Sequence, residues 1–66
     1  MAKLTSKELG LIEDSLRQEQ LMIQKFGFYA NQATDPEIKS LCQNLRDMHQ
    51  RHLDTLMRHL NEAATL

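Results

Sequence analysis

Several residue types that shape other folds are scarce in this chain of 66 residues, which has one cysteine, one proline, two glycines and no tryptophan. Because Cys42 is alone, a disulfide within the chain is excluded, and we expect its thiol to be a small buried hydrophobe. Eight lysines and arginines are scattered among nine acidic residues. They form no basic stripe, so we expect no nucleic-acid partner.

Long apolar runs are also missing. No stretch approaches the roughly 20 apolar residues of a membrane-spanning helix, so we expect no membrane partner. The opening MAKLTSKELG has no apolar segment of the signal-peptide kind, which predicts synthesis in the cytoplasm and retention in the cell. A chain this short buries only about 60% of its unfolded surface, so we expect one small domain, residues 1–66, that needs a metal or a partner chain.

Two helix-start signals divide the chain. TSKE near the beginning is a capping box, in which Thr5 and Glu8 satisfy each other's free backbone N–H groups. Further along, Asp35 is a helix N-cap and Pro36 occupies the first helical position. These signals predict a first helix, a turn and a second helix, at residues 6–32, 33–35 and 36–62. Because the turn is so short, the two helices must run antiparallel.

Each predicted helix carries an apolar stripe with polar members in it. On the first helix the stripe is Leu9, Ile12, Leu16, Glu19, Ile23, Phe26, Ala30 and Ala33. On the second it is Ile38, Leu41 or Cys42, Leu45, His49, His52, Leu56, His59 or Leu60, and Ala63. Gly27 interrupts the first helix at a cost of about 1 kcal/mol relative to alanine, and we interpret it as a small residue that permits close helix contact.

Register arithmetic places the polar members of the two stripes at one height. If the turn centres near residue 34, residues whose numbers add to about 68 lie level across the hairpin. Glu19 then lies beside His49, and His52 is one turn away on the same face. His59 lies near the open end of the hairpin, where a charged histidine close to a helix C-terminus gains about 0.3–1 kcal/mol from the dipole.

The two amphipathic helices have too little core to be stable alone. We therefore predict an all-α fold, an antiparallel two-helix hairpin that homodimerises into a four-helix bundle. A two-fold axis would bring both copies of Glu19, His49 and His52 into one central layer.

Two interpretations of this layer stay open. It can fix register and oligomeric state without chemistry, as single polar residues do in coiled coils. Alternatively, it is a metal site, because di-iron bundles place a lone Glu and a Glu-x-x-His pair on facing helices, and HQRH has the same spacing with His49 replacing the glutamate. An imidazole-rich set of Glu19, His49 and His52 suits a single Zn, Fe, Ni or Cu ion. A redox enzyme on that metal is a third, weaker hypothesis, and the sequence assigns no catalytic residue.

A family resemblance is carried by LTSKEL, by EQLMIQKFGFYA, by TDPEIKSLC and by HQRH followed by LMRHL, within residues 4–60. In these segments the chain resembles the short, ferritin-like members of the spore coat protein F family. The resemblance implies a spore-forming Gram-positive source, association with other spore coat proteins and a hairpin that is half of a ferritin-like bundle. Glu19 and His52 match ligand positions and His49 is a substituted one, which argues against an oxidase or iron-storage role. The first functional hypothesis is therefore a small structural protein of the spore coat. The alternative is a metal-binding bundle.

Overall fold

The structure, a computed structural model, describes residues 4–64, with side chains described as far as Ala63. Helix α1 spans Ser6–Gln32 and helix α2 spans Pro36–Ala64, and the two pack against each other as a hairpin. The prediction of an all-helical fold with two packed helices is confirmed. Helix α1 has the predicted bounds, and α2 continues two residues beyond the predicted end at 62. Neither helix in this range is apolar over a long enough stretch to span a bilayer.

The capping box at the start of α1 is formed. The backbone N–H of Glu8 donates to Thr5 Oγ1 at 3.1 Å, and the backbone N–H of Thr5 donates to Glu8 Oε1 at 3.0 Å. These bonds satisfy donors that a helix N-terminus leaves free. The backbone N–H of Thr5, and to a smaller extent its hydroxyl, stabilise the charged carboxylate and so lower the pKa of Glu8.

Polar contacts shape the connection between the helices. Asp35 Oδ1 accepts hydrogen bonds from the backbone N–H groups of Glu37 at 2.8 Å and Ile38 at 3.5 Å, so Asp35 caps α2. The Lys39 ammonium donates to the carbonyl oxygen of Ala30 at 3.0 Å. A side chain of α2 therefore satisfies a backbone acceptor at the C-terminal end of α1, which otherwise lacks an intrahelical partner.

The hairpin has a thin core. Among the described side chains, only Ala30 and Cys42 are buried, at 2% and 8% exposure, and the Cys42 thiol is free. Most other members of the two stripes are half-buried, namely Ile12, Leu16, Ile23, Phe26, Leu45, Leu56 and Leu60. The open choices on α2 are thereby decided, because Leu41 and His59 are exposed while Cys42 and Leu60 face α1.

Gly27 does not mark a close approach of the two helices. A Cβ at this position would have Arg46 Cδ as its nearest neighbour, at 3.7 Å, which is ordinary van der Waals contact with a flexible side chain. The interpretation of Gly27 as a small residue that permits close helix contact is therefore wrong. At 3.6 residues per turn, Gly27 lies about 60° round the helix from the buried Ala30, at the edge of the helix interface.

Candidate metal centre

The polar members of the two stripes meet across the hairpin. His49 Nδ1 lies 2.7 Å from Glu19 Oε2, and both side chains are only 18% exposed. An ionised carboxylate can only accept, so the imidazole N–H donates to it. A short bond to a charged acceptor in a partly dehydrated position is of the stronger class of hydrogen bond. It connects α1 to α2 at the height where the register arithmetic places both residues.

His52 approaches the other oxygen of the same carboxylate. Its Nδ1 lies 3.5 Å from Glu19 Oε1, and its side chain is 53% exposed. The rings of His49 and His52 are 5.6 Å apart between centroids and nearly perpendicular, at 87°. One imidazole therefore stands at each oxygen of Glu19, with His49 on the inner side of the cluster and His52 on the solvent side.

Phe26 holds the ring of His49 from one face. The two rings are stacked, with centroids 5.8 Å apart and planes 6° apart, and Phe26 meets Tyr29 edge to face at 6.1 Å. Stacking on one side and a hydrogen bond in the ring plane leave His49 little rotational freedom. The apolar stripe on α1 predicts Phe26 only as a core residue. The signal for this contact is its position seven residues after Glu19, which puts both on one face of α1.

The cluster satisfies the first geometric requirement of a metal site. One donor atom each from Glu19, His49 and His52 lies within 4.8 Å of the other two. A tetrahedral ion with bonds of about 2.0–2.1 Å keeps its ligand atoms roughly 3.3 Å apart, so small side-chain movements would close the site. Two imidazoles and one carboxylate form a three-ligand set that zinc sites use when a fourth position stays open. Binding through His49 Nδ1 would displace the proton that it now shares with Glu19.

Other residues of ligand type stand apart from this cluster. Cys42 lies two turns before His49 on α2, a rise of about 10 Å, and His59 lies the same distance beyond His52. The side chain of His59 is exposed. Within residues 4–64, Glu19, His49 and His52 are the group of three that could surround one ion.

The interpretation of this cluster as a metal site rests on the arrangement of its donor atoms and not on similarity to a known protein. The resemblance to the spore coat protein F family stays a prediction from the quoted segments. Comparisons of the chain with protein-family models, with curated proteins and with solved structures found no match.

Proposed function

We propose that this protein is a small structural protein that acts by self-association, with two hairpins packed as a homodimeric, ferritin-like four-helix bundle. The observation that carries the proposal is the solvent-accessible surface area of the chain. The hairpin exposes 5037 Å². A compact monomer of 7.7 kDa exposes about 4,300 Å². The excess of about 700 Å² is close to the roughly 800 Å² that each partner buries in a standard interface.

The shape of the hairpin supports the same proposal. Its extents are 47 × 16 × 11 Å and its radius of gyration is 15.0 Å. A globular chain of this length has a radius of gyration of about 10.8 Å. A layer only one helix thick leaves one side of every apolar stripe uncovered. A second copy stacked on it would double the thin dimension and give the stripes a common core.

One edge of the hairpin carries the apolar side chains that a second copy would cover. We call it the association face, and its residues are Met22, Tyr29, Leu41, Leu45 and Met48. Gly27 and Arg46, whose Cδ a Cβ at position 27 would contact, lie on the opposite edge. On α1, Gly27 lies two positions from Tyr29, and on α2, Arg46 lies two positions from Met48. Two positions correspond to about 200° of rotation round a helix. The association face therefore joins both helices on a single side of the hairpin.

Sedimentation equilibrium tests the dimer. We expect the folded protein to have twice the mass of the chain, and its melting temperature to rise with protein concentration, because association stabilises by mass action. A species that is fully folded and monomeric over the whole concentration range would contradict the proposal.

The setting implied by the family resemblance is the spore coat, where the bundle would pack with other coat proteins. The support is the set of segments within residues 4–60 that carry the resemblance. In sporulating cells of the source organism, we expect an antibody against the protein to detect it in the extracted coat fraction. Detection in growing cells alone would remove the coat from the proposal and leave self-association in place.

A second candidate function is metal binding at the centre of the bundle, by Glu19, His49 and His52. The observation that favours it is the convergence of three donor atoms from facing helices within 4.8 Å. Zn and Fe are the expected ions, and a redox activity would need iron together with turnover of oxygen or peroxide.

Metal analysis of protein purified without a histidine tag tests this candidate. We expect bound metal after loading with Zn(II) or Fe(II), and a higher melting temperature because the ion binds the folded state. The His52→Ala variant should lose both effects, whereas the His59→Ala variant should keep them as a matched control. If His52→Ala still binds metal and still shows the higher melting temperature, this cluster is not the metal site.

A further inference from the structure

We infer that a divalent cation of the zinc class, bound by Glu19, His49 and His52, strengthens the self-association of this chain. The inference rests on both proposed functions and adds the coupling between them. Metal binding then acts as the regulator of assembly, and the dimer is the form that holds the ion more tightly.

The first step is the position of the open side of the site. One chain supplies three donors, and a tetrahedral ion takes four, so one coordination position is left for a water or for a donor from outside the chain. Glu19 and His49 are each 18% exposed, and Phe26 stacks on His49. His52 is 53% exposed. The site is therefore closed toward the hairpin interior and open on the side of His52.

The second step is the position of His52 relative to the association face. His52 follows Met48 by four residues and Leu41 by eleven, and these intervals keep the three side chains on one strip of α2. A second copy that covers the association face therefore also covers the open side of the cluster. Because a two-fold axis repeats this relation, each copy would face the other copy's ion across the interface.

The third step is electrostatic. Covering the cluster without a cation removes the Glu19 carboxylate from water, with His49 as its hydrogen-bond partner. Taking a charge out of water is unfavourable unless an opposite charge compensates it. A bound cation supplies that charge and also fixes the half-exposed His52 side chain before the second copy arrives, which lowers the entropic cost of the contact. By linkage, an ion that prefers the dimer strengthens the dimer by the same factor.

Sedimentation equilibrium on chelator-treated protein, with and without added ZnCl₂, tests the coupling. We expect zinc to lower the dimer dissociation constant of the original chain by at least about fivefold, the lower end of typical coupling between two binding events. His52→Ala should lose the zinc effect, because it removes one of the three donors. His59→Ala should keep the full effect, because His59 lies on the same edge of α2 but outside the cluster.

A parallel measurement separates this inference from the proposals beneath it. Calorimetric titration should give one zinc per chain, and Co(II) in place of zinc should show the visible absorption of tetrahedral coordination. Zinc that binds with an unchanged dimer constant would overturn the inference and leave both proposed functions standing. No zinc binding would remove the metal site and the inference together. A monomer under all conditions would remove self-association. Loss of the zinc effect in His59→Ala but not in His52→Ala would assign it to surface cross-linking and overturn the inference.

Discussion

Glu19 is the residue on which the two interpretations of the polar layer differ most. Its carboxylate is tied to His49 on one oxygen and approached by His52 on the other. As a structural element, the pair specifies which side chains lie level in the hairpin. As a metal ligand, Glu19 supplies the negative charge of the site.

The double variant Glu19→Leu/His49→Leu should be at least as stable as the original chain without metal, because well-packed apolar residues of similar volume often replace a polar pair away from water without loss. Each single variant should be less stable than the double, since it leaves one polar partner without the other. Urea denaturation of the four proteins in a double-mutant cycle measures the coupling. A double variant less stable than both singles would show that the pair itself holds the hairpin together.

Glu8 allows a prediction about pH. Its pKa in the folded chain is lowered, chiefly by the backbone N–H of Thr5 and further by the Thr5 hydroxyl. A carboxyl with a lowered folded pKa adds stability above its unfolded pKa, and that stability is lost as pH falls through the folded pKa. Thr5→Ala should therefore raise the pKa of Glu8 part of the way, because the backbone N–H remains. NMR titration of the Glu8 side chain measures this, and an unchanged pKa would mean that the hydroxyl takes no part.

At the scale of the element, each helix is defined mainly by what happens at its ends. Thr5 and Glu8 start α1, and Asp35 starts α2 immediately before Pro36. These interactions join residues two or three positions apart, so they can be recognised in the sequence without knowing the fold. The helix interiors hold only two glycines, and the structure leaves room for a side chain at both.

Gly27→Ala and Gly10→Ala should each stabilise the protein by about 0.5–1 kcal/mol, because alanine costs less backbone entropy in a helix. A Cβ at Gly27 would meet only Arg46 Cδ at 3.7 Å, and a Cβ at Gly10 would meet nothing within 4 Å. Thermal denaturation at equal protein concentration compares the two variants with the original chain. A stabilising Gly10→Ala together with a destabilising Gly27→Ala would mean that another copy packs closely against Gly27.

At the scale of the whole molecule, the hairpin is an elongated layer with two buried side chains among those described. Large apolar side chains are exposed on more than one side of it, so exposure alone does not identify the interface. Leu41 belongs to the association face. Leu21 lies on the outward face of α1, two positions and about 200° from the half-buried Ile23.

Leu41→Glu should therefore dissociate the proposed dimer, whereas Leu21→Glu should leave it intact. The two leucines are a matched pair, since each is 52% exposed in the single hairpin. A buried, unpaired carboxylate at the interface is costly, and an exposed one is not. Analytical sedimentation at one concentration distinguishes the variants. The opposite pattern would move the interface to the outward face of α1.

The start of each helix and the level of the polar layer follow from the sequence alone. Capping acts over a few residues, and a short turn fixes which residues of two antiparallel helices lie level, so Glu19 and His49 could be placed side by side. Spacings of three and four residues leave a helix free to rotate by a fraction of a turn. For that reason the sequence did not decide between Leu41 and Cys42 on the stripe of α2.

Only the tertiary structure determined the rotation of each helix and the contacts that depend on it. Packing of the whole interface turns Cys42 inward, leaves His59 exposed and gives Gly27 room for a side chain. It also stacks Phe26 on His49 and aims one imidazole at each oxygen of Glu19. These features follow from helix rotation and side-chain rotamers, which many weak contacts decide together, and no local pattern in the sequence encodes that sum.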